Sequence, residues 1–126
     1  CFYIDPTQRN LYVGITEVQA AQIREELKNK YGMFVYKGIL SEDYAIAPKS
    51  TWADFVFSRN YNLKPLKEVE SFIAENEHLP DVPSAAQVAE EGYSQHDMNK
   101  VLLQKIEELT LYIIKQQKEI EELKRR

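Results

Sequence analysis

The sequence has little of what marks most membrane-spanning, disulfide-bonded or nucleic-acid-binding chains. Its 126 residues include one cysteine, Cys1, so no intramolecular disulfide can form. No apolar run approaches the roughly 20 residues that a membrane-spanning helix needs, so we expect no membrane insertion. The formal net charge of −4 gives no basic footprint for nucleic acid, and we expect none as a partner.

Groups that carry chemistry are also scarce. His78 and His96 are the only histidines, and neither has a second His or Cys at ligand spacing, so we expect no metal and no cofactor. There is no glycine-rich phosphate loop, and no hydroxyl side chain has a neighbour in the sequence that would act as its base. We therefore expect a protein that is not an enzyme.

The start of the chain has two interpretations. Cys1 could be the lipid-modified first residue of a bacterial lipoprotein, or it could follow from cutting a longer chain. The next residues, Phe2 and Tyr3, are typical of a strand rather than of a polar tether, which favours the second interpretation. Without an initiating Met or a signal peptide, the chain is expected to be the C-terminal piece of a larger protein.

Short strands and one helix are predicted for residues 1–50. Phe2 to Ile4 and Leu11 to Val13 are predicted to be strands joined by a turn at Asp5-Pro6-Thr7. Thr16 and Gln19 have the spacing of a capping box.

That capping box begins a helix predicted from about Glu17 to Lys30, with Gly32 just beyond its end. The stretch from Met33 to Leu40 is rich in β-branched and aromatic residues, is interrupted by Gly38, and is followed by a weak alternation in residues 44–47. It predicts a bent hairpin, or a strand that changes partner at the glycine.

Residues 51–93 are predicted to form a small helical and aromatic domain. The segment Trp52 to Phe57 is dense in large apolar groups, as a strand or a helical turn. A helix follows from about Leu63, and Ser84 with Gln87 caps a shorter one that Gly92 ends. The side chains expected to form the core and a docking surface are Trp52, Phe55, Phe57, Leu66, Val69, Phe72 and Ile73.

The last 33 residues carry the clearest pattern. From about Gln95 to Arg126 there is no Gly or Pro, and helix-forming residues dominate. Apolar residues alternate by four and three, which is a heptad repeat with Ile at a and Leu at d. Two polar layers, Asn99 and Gln116, continue this seam and would fix the register. The seam residues, predicted to form the oligomer interface, are Asn99, Leu102, Ile106, Leu109, Ile113, Gln116, Ile120 and Leu123.

The surroundings of the seam differ along the helix. From Lys115 onward, all positions outside the seam are polar. Before Lys115, apolar side chains flank the seam; these are Val101, Leu103, Leu111, Tyr112 and Ile114. We expect these flanking residues to take the globular part of the same or a neighbouring chain. The pairs Glu107-Glu108 and Glu121-Glu122 are expected to be solvated. The heptad pattern alone leaves a parallel dimer and a parallel trimer open.

Three stretches resemble one family. They are WADFVF (residues 52–57), LKPLKEVESFIAENEHLPDVPSAAQV (63–88) and MNKVLLQKIEELTLYIIKQQKEIEELK (98–124). Together and in this order they resemble the C-terminal domain of tail-fibre-like and adhesin-like surface proteins of Bacteroidetes and their phages. Residues 33–47 look like the short fibre-proximal repeat that such proteins place upstream.

The resemblance implies a homotrimeric cap on a β-rich fibre, similar to the intramolecular chaperone domains that end phage tail spikes. Some of those domains cleave themselves at a serine in an S-D-x-R-L-K motif. Here Ser41-Glu42-Asp43 is the nearest approach and no Arg-Leu-Lys follows, so self-cleavage is not implied. The implied location is a virion tail or a bacterial cell surface, and the implied partners include upstream fibre domains of the same chain.

We therefore predict an α+β chain in three parts. Residues 1–50 form a β-rich segment with one helix, 51–93 a small helical domain, and 94–126 a parallel coiled coil, with a trimer favoured. The expected function is trimerisation and folding of a fibre. The alternative is a receptor-binding tip that contacts a cell-surface glycan or protein through exposed tyrosines, for which the candidates are Tyr31, Tyr36, Tyr44 and Tyr61.

Overall fold

The computed structural model describes residues 2–47, 52 and 54–126. The described chain is an α+β protein with three strands and five helices. It divides into two compact units, one that ends at Ala45 and one that begins at Ile46. Cys1 and the domain boundary expected after residue 50 lie outside the described residues, and the division into three parts stays a prediction.

The first unit contains a sheet in the order β1-β2-β3. Strand β1 (Phe2–Asp5) pairs with β2 (Asn10–Val13) in antiparallel fashion, and β2 pairs with β3 (Met33–Val35) in parallel. The turn between β1 and β2 forms because the Asp5 carboxylate accepts the backbone N–H groups of Thr7 and Gln8, at 2.9 and 3.2 Å. The two predicted strands and their turn are confirmed.

One face of this sheet carries an aromatic ladder. Tyr3, Tyr12 and Phe34 are register partners on the three strands, and their rings stack with centroids 4.8 and 5.3 Å apart. Tyr12 in the middle is 1% exposed. Stacked pairs of this kind add stability beyond their buried area, so the ladder is the centre of the unit's small core.

The single helix predicted for residues 17–30 is wrong, because the chain forms two helices there. Helix α1 (Glu17–Ala21) begins with the expected capping box, in which Thr16 and Gln19 exchange hydrogen bonds. Helix α2 (Glu25–Lys30) follows a break at residues 22–24. A straight helix of 14 residues would run about 21 Å, well beyond the roughly 13 Å of a four-residue strand.

Tertiary contacts hold α2 against the start of the sheet. Gln8 Nε2 donates to the Glu25 carboxylate at 2.9 Å, and Asn10 Nδ2 donates to the carbonyl of Lys28 at 3.2 Å. Asn10 is 2% exposed, so its amide needs that partner. The break lets α2 fold back to these groups, which local helix propensity cannot specify.

The bent hairpin predicted for residues 33–47 is only half present. Its first three residues form β3, but Lys37 and Gly38 have φ of 76° and 98° and take the chain out of the sheet. The described residues from Ile39 to Ala47 contain no strand. Lys37 in the left-handed region is strained, whereas the glycine accepts this conformation readily.

The second unit contains three helices. Helix α3 (Leu66–Asn76) follows Pro65, and Glu77 ends it in the left-handed conformation. Helix α4 (Ala85–Glu91) has the predicted capping box between Ser84 and Gln87, and it ends at Gly92, where φ is 69°. Helix α5 (Gln95–Lys124) is the long C-terminal helix. These three elements agree closely with the sequence prediction.

The prediction for the aromatic segment is wrong in its details. Trp52, Phe55 and Phe57 are 51%, 38% and 60% exposed in the single chain, whereas Val56 between them is 1% exposed. The chain turns here, with the N–H of Ser58 bonded to the carbonyl of Phe55 at 3.1 Å. Because a turn directs successive side chains in different directions, only one of the bulky groups points inward.

Helix α3 also buries less than expected. Leu66 and Ile73 are 46% and 41% exposed, while Val69 and Phe72 are half-buried. Phe72 contacts the ring of His78 edge-on, with centroids 5.4 Å apart. Much of the apolar surface assigned to the core therefore lies open on one chain.

Candidate functional site: the exposed seam of helix α5

Helix α5 begins where the sequence predicts. The Ser94 Oγ accepts the N–H of Asp97 at 3.3 Å, and Gln95 Nε2 donates to Asn99 Oδ1 at 2.9 Å one turn later. Its 30 residues make a rod of about 45 Å. Gly92, three residues before the helix, ends α4 with a positive φ that glycine accepts readily.

One side of the rod is held by the connector that precedes α3. The Tyr61 hydroxyl donates to the Glu108 carboxylate and accepts from Gln104 Nε2 at 3.2 Å. The Tyr112 hydroxyl donates to the carbonyl of Lys64 at 2.6 Å. These contacts all lie at heptad positions c, f and g, away from the seam.

An ion cluster stands beside these contacts. Lys105 Nζ lies 3.2 Å from the Asp81 carboxylate and 2.9 Å from that of Glu108. The side chains of Lys105 and Glu108 are only 12% and 14% exposed, so solvent screens their attraction less than in an open surface pair, and loss of one partner would leave the other charge desolvated. The prediction that Glu108 is solvated is wrong, because the packed connector desolvates it.

Burial changes the acidity of both tyrosines. Burial, followed by the hydrogen bond to Glu108, raises the pKa of Tyr61 to about 12. Burial and then the charge of Glu108 raise the pKa of Tyr112. Both phenols therefore stay protonated at neutral pH and act as hydrogen-bond donors in the joint between connector and helix.

Glu107 differs from its neighbour. It is half-buried, and its Oε2 is enclosed with no hydrogen-bond partner among the described residues. This also departs from the solvated carboxylate expected there. Glu121 and Glu122, in contrast, are exposed as predicted.

The predicted seam lies on the opposite, uncovered side of α5. Its six apolar side chains are between 46% and 64% exposed; they are Leu102, Ile106, Leu109, Ile113, Ile120 and Leu123. Of the two polar layers, Asn99 is half-buried and Gln116 is exposed. The structure thus brings the eight predicted residues into one stripe along the helix.

The flanking apolar residues behave differently from the seam. Val101, Leu103, Leu111 and Tyr112 are half-buried against their own chain, as expected for a docked face. Ile114 is 45% exposed and belongs neither to the docked face nor to the seam. The helix therefore has two apolar surfaces. Its docked face packs on its own chain, and its open stripe is left for contact with another chain.

Sequence reasoning did not identify the residues that attach α5. Tyr61, Asp81 and Lys105 lie far apart in the sequence and follow no spacing rule, and only the packed connector brings them together. One signal was available: Tyr112 and Leu111 widen the apolar stripe in the first half of α5, which marks where a docking partner had to be.

The described residues contain no group of three or more His, Cys, Asp or Glu side chains placed to hold a metal ion. Across the same residues, no helix has the length and apolarity needed to cross a bilayer. No protein family model, curated protein or solved structure matches this chain.

Proposed function

We propose that this chain is an oligomerisation cap whose α5 helices join in parallel through the exposed seam. The observation that supports the proposal is the separation of the two apolar surfaces of α5. The flank is covered by the chain's own connector, whereas the six seam side chains stay between 46% and 64% exposed. An exposed apolar stripe of this length, interrupted between Ile113 and Ile120 by Gln116, is typical of a site for another chain.

We propose three chains rather than two. Ile at a with Leu at d favours two strands in simple model peptides, but Gln116 at a d position is compatible with three. The resemblance to trimeric fibre caps also favours three. Each Gln116 would then meet its two copies at one level of the seam, where a slipped register would bury the amide against hydrocarbon.

The proposed role is to align chains for assembly of a tail fibre or a surface fibre. Helix α5 itself forms through contacts near in sequence, which close faster than sheet pairing between distant segments. Once α5 is paired, any upstream segment meets its copies at a high effective concentration. The fibre setting, on a virion tail or a bacterial surface, rests on the sequence resemblance.

Light scattering and sedimentation equilibrium on the 126-residue chain test this proposal directly. We expect trimers at tens of micromolar, and a monomer at that concentration would contradict the proposal. The variant with Ile113→Asp and Ile120→Asp is expected to be monomeric, because it places carboxylates in two a layers.

A matched control uses the outer face of the same helix. Lys118→Asp and Arg125→Asp change two exposed f positions and shift the net charge more than the seam variant does. We expect this control to stay oligomeric. If both double variants dissociate equally, charge rather than the seam would be responsible.

A receptor-binding role is the second candidate, and exposed tyrosines favour it. Tyr31, Tyr36 and Tyr44 are 40%, 60% and 66% exposed in the first unit. Tyr61 does not belong to such a patch, since it is half-buried and bonded to Glu108. Glycan-array binding by the intact chain that disappears in Tyr36→Ala with Tyr44→Ala, while the oligomer persists, would support this role.

A further inference from the structure

A cavity of about 210 Å³ opens beside the seam, between the Tyr61 connector, the start of α3 and helix α5. Its walls are mainly apolar, with Leu66, Val69, Leu79 and Pro80 among them. Leu66 and Leu79 are 46% and 44% exposed, so the cavity is open to an incoming group. A concave apolar site of this kind binds an apolar group readily.

The cavity borders the seam directly. Helix α5 contributes four side chains to its wall: Lys105, Glu108, Leu109 and Tyr112. Leu109 is also a seam residue, at position d, and the other three lie at g and c. The cavity therefore lies on the flank of α5 formed by positions d, g and c. It borders the seam on that flank and not on the flank formed by positions a, e and b.

Most charges in this wall are already paired, and the ammonium of Lys64, the remaining charged group, lies over the Phe72 ring at 5.7 Å. Lys105 is bonded to Asp81 and Glu108, and the Tyr61 and Tyr112 hydroxyls have acceptors within the chain. A charged guest would find few free partners and would lose its own hydration. The lining therefore suits a neutral, apolar side chain.

The opposite flank of α5 carries such a side chain. Ile114, at heptad position b, is 45% exposed. Beside it on the a-e-b flank, Thr110 and Gln117 are also exposed, so this flank is uncovered at the level of Ile114, although it is half-buried earlier at Leu103 and Glu107. An isoleucine at an outer position of a coiled coil is out of place unless something covers it.

In a parallel coiled coil, the g flank of one helix faces the e flank of the next. With the chains in register, Ile114 of a second copy stands two residues, about 3 Å, beyond the level of Tyr112. Helical side chains lean toward the N-terminus by about one residue, which brings Ile114 close to the level of Tyr112, at the C-terminal edge of the cavity wall.

We propose that the cavity of each chain receives Ile114 of the neighbouring copy. The inference rests on the proposed parallel assembly and names the second contact within it. The second unit of each copy then packs against its own α5 and against the α5 of one neighbouring copy. The contact runs in one direction around the oligomer. Such head-to-tail contacts close into a ring.

Chemical cross-linking of the full chain tests the contact. In a Cys1→Ser background, one tagged chain carries Leu66→Cys and a second carries Ile114→Cys, and the two are refolded together. A short bis-maleimide should join the two kinds of chain. The matched control replaces Ile114→Cys with Glu121→Cys, at the same heptad position but about 10 Å farther along the helix.

Each outcome decides the question. Cross-linking with Ile114→Cys that is at least severalfold faster than with Glu121→Cys supports the proposal. An oligomer by light scattering in which the two rates are equal, or both negligible, overturns it and leaves the seam assembly standing. A monomer overturns both proposals together.

A second measurement avoids introduced cysteines. Ile114→Ala is expected to raise the dissociation constant of the oligomer by about tenfold, because it empties the cavity. Val18→Ala removes a similar exposed side chain in α1, where Val18 is 71% exposed, and should leave the constant unchanged. Equal dissociation constants for Ile114→Ala and the parent chain would overturn the proposal.

Discussion

Tyr61 joins the connector to helix α5 through a single phenol, and the structure makes its contribution measurable. Tyr61→Phe removes the hydrogen bond to the Glu108 carboxylate and should lower the free energy of unfolding by about 1.5–3 kcal/mol. Tyr93→Phe is the control, since Tyr93 is 57% exposed, and its effect should stay within about 0.5 kcal/mol. Urea unfolding at fixed protein concentration, followed by helical circular dichroism, measures both.

The contribution of Tyr61 to the free energy of unfolding should also depend on pH. The pKa of Tyr61 rises from 10.0 to about 12 on folding, so the folded phenol holds its proton longer than the unfolded one. Stability from this group is therefore complete below pH 10 and is lost as the pH rises from 10 toward 12. The gap between the parent and Tyr61→Phe should narrow across that window, and a constant gap would contradict the assignment.

Replacing Glu107 should raise the free energy of unfolding, whereas replacing Tyr61 should lower it. Its Oε2 is enclosed without a partner among the described residues, so Glu107→Gln should stabilise the chain by about 1 kcal/mol by removing a desolvated charge. Glu121→Gln, at the same heptad position on the open part of α5, should change stability by less than about 0.5 kcal/mol. Thermal melts of both variants decide this, and stabilisation of equal size in each would point to net charge instead.

At the scale of elements, Gly92 ends helix α4 and begins the link to α5. Its φ is 69°, in the region that L side chains rarely adopt, so Gly92→Ala should cost about 1 kcal/mol or more. Gly32→Ala is the control, because Gly32 has an ordinary φ and an added Cβ would meet nothing within 4 Å. Chemical denaturation of the two variants should therefore separate them clearly, with Gly32→Ala close to the parent or slightly above it.

The elements differ in how well the sequence foretells them, for physical reasons. Helices α3 to α5 follow from local signals, namely caps at Ser84 and Ser94 and an apolar repeat without Gly or Pro. The break between α1 and α2 has no Gly or Pro to mark it, since it is set by contacts with Gln8 and Asn10 on the sheet. A sequence pattern predicts the elements that are set by neighbouring residues. It does not predict those that are set by contacts with distant parts of the chain.

The candidate site divides in the same way. The exposed stripe of α5 follows from heptad spacing alone, so its residues could be predicted, and its role as an oligomer interface stays a prediction. The joint that holds α5 was not, because the pairing of Tyr61 with Glu108 and of Lys105 with Asp81 needs the folded connector. The segment at Trp52 failed for a third reason, since composition identifies bulky residues but a turn decides which of them, here Val56, is buried.

At the scale of the whole molecule, Gln116 is the residue whose replacement should show whether the seam encodes a single assembly. Gln116→Leu removes a polar layer, so we expect a higher, concentration-dependent melting temperature, gained from about 1 kcal/mol or more per chain of relieved amide burial. We also expect a mixture of oligomer sizes, because the register signal is gone.

Gln117→Leu is the control for that change. Gln117 stands one position along, at e, and its side chain is exposed and bonded to Glu121 at 3.2 Å. This variant should keep one oligomer size. Analytical ultracentrifugation of both variants measures the distribution, and a single species for Gln116→Leu at an unchanged melting temperature would count against a polar layer in the interface.

The aromatic ladder of the sheet gives the molecule an optical consequence. Tyr3, Tyr12 and Phe34 stack in the first unit, whereas the one tryptophan, Trp52, belongs to the second, where its ring lies 6.0 Å from that of His96. Coupled rings of fixed geometry contribute near-ultraviolet dichroism, and indole emission reports on its own surroundings. Because the first unit has no tryptophan, indole emission follows the second unit alone, whereas near-ultraviolet dichroism sums the aromatic groups of both units.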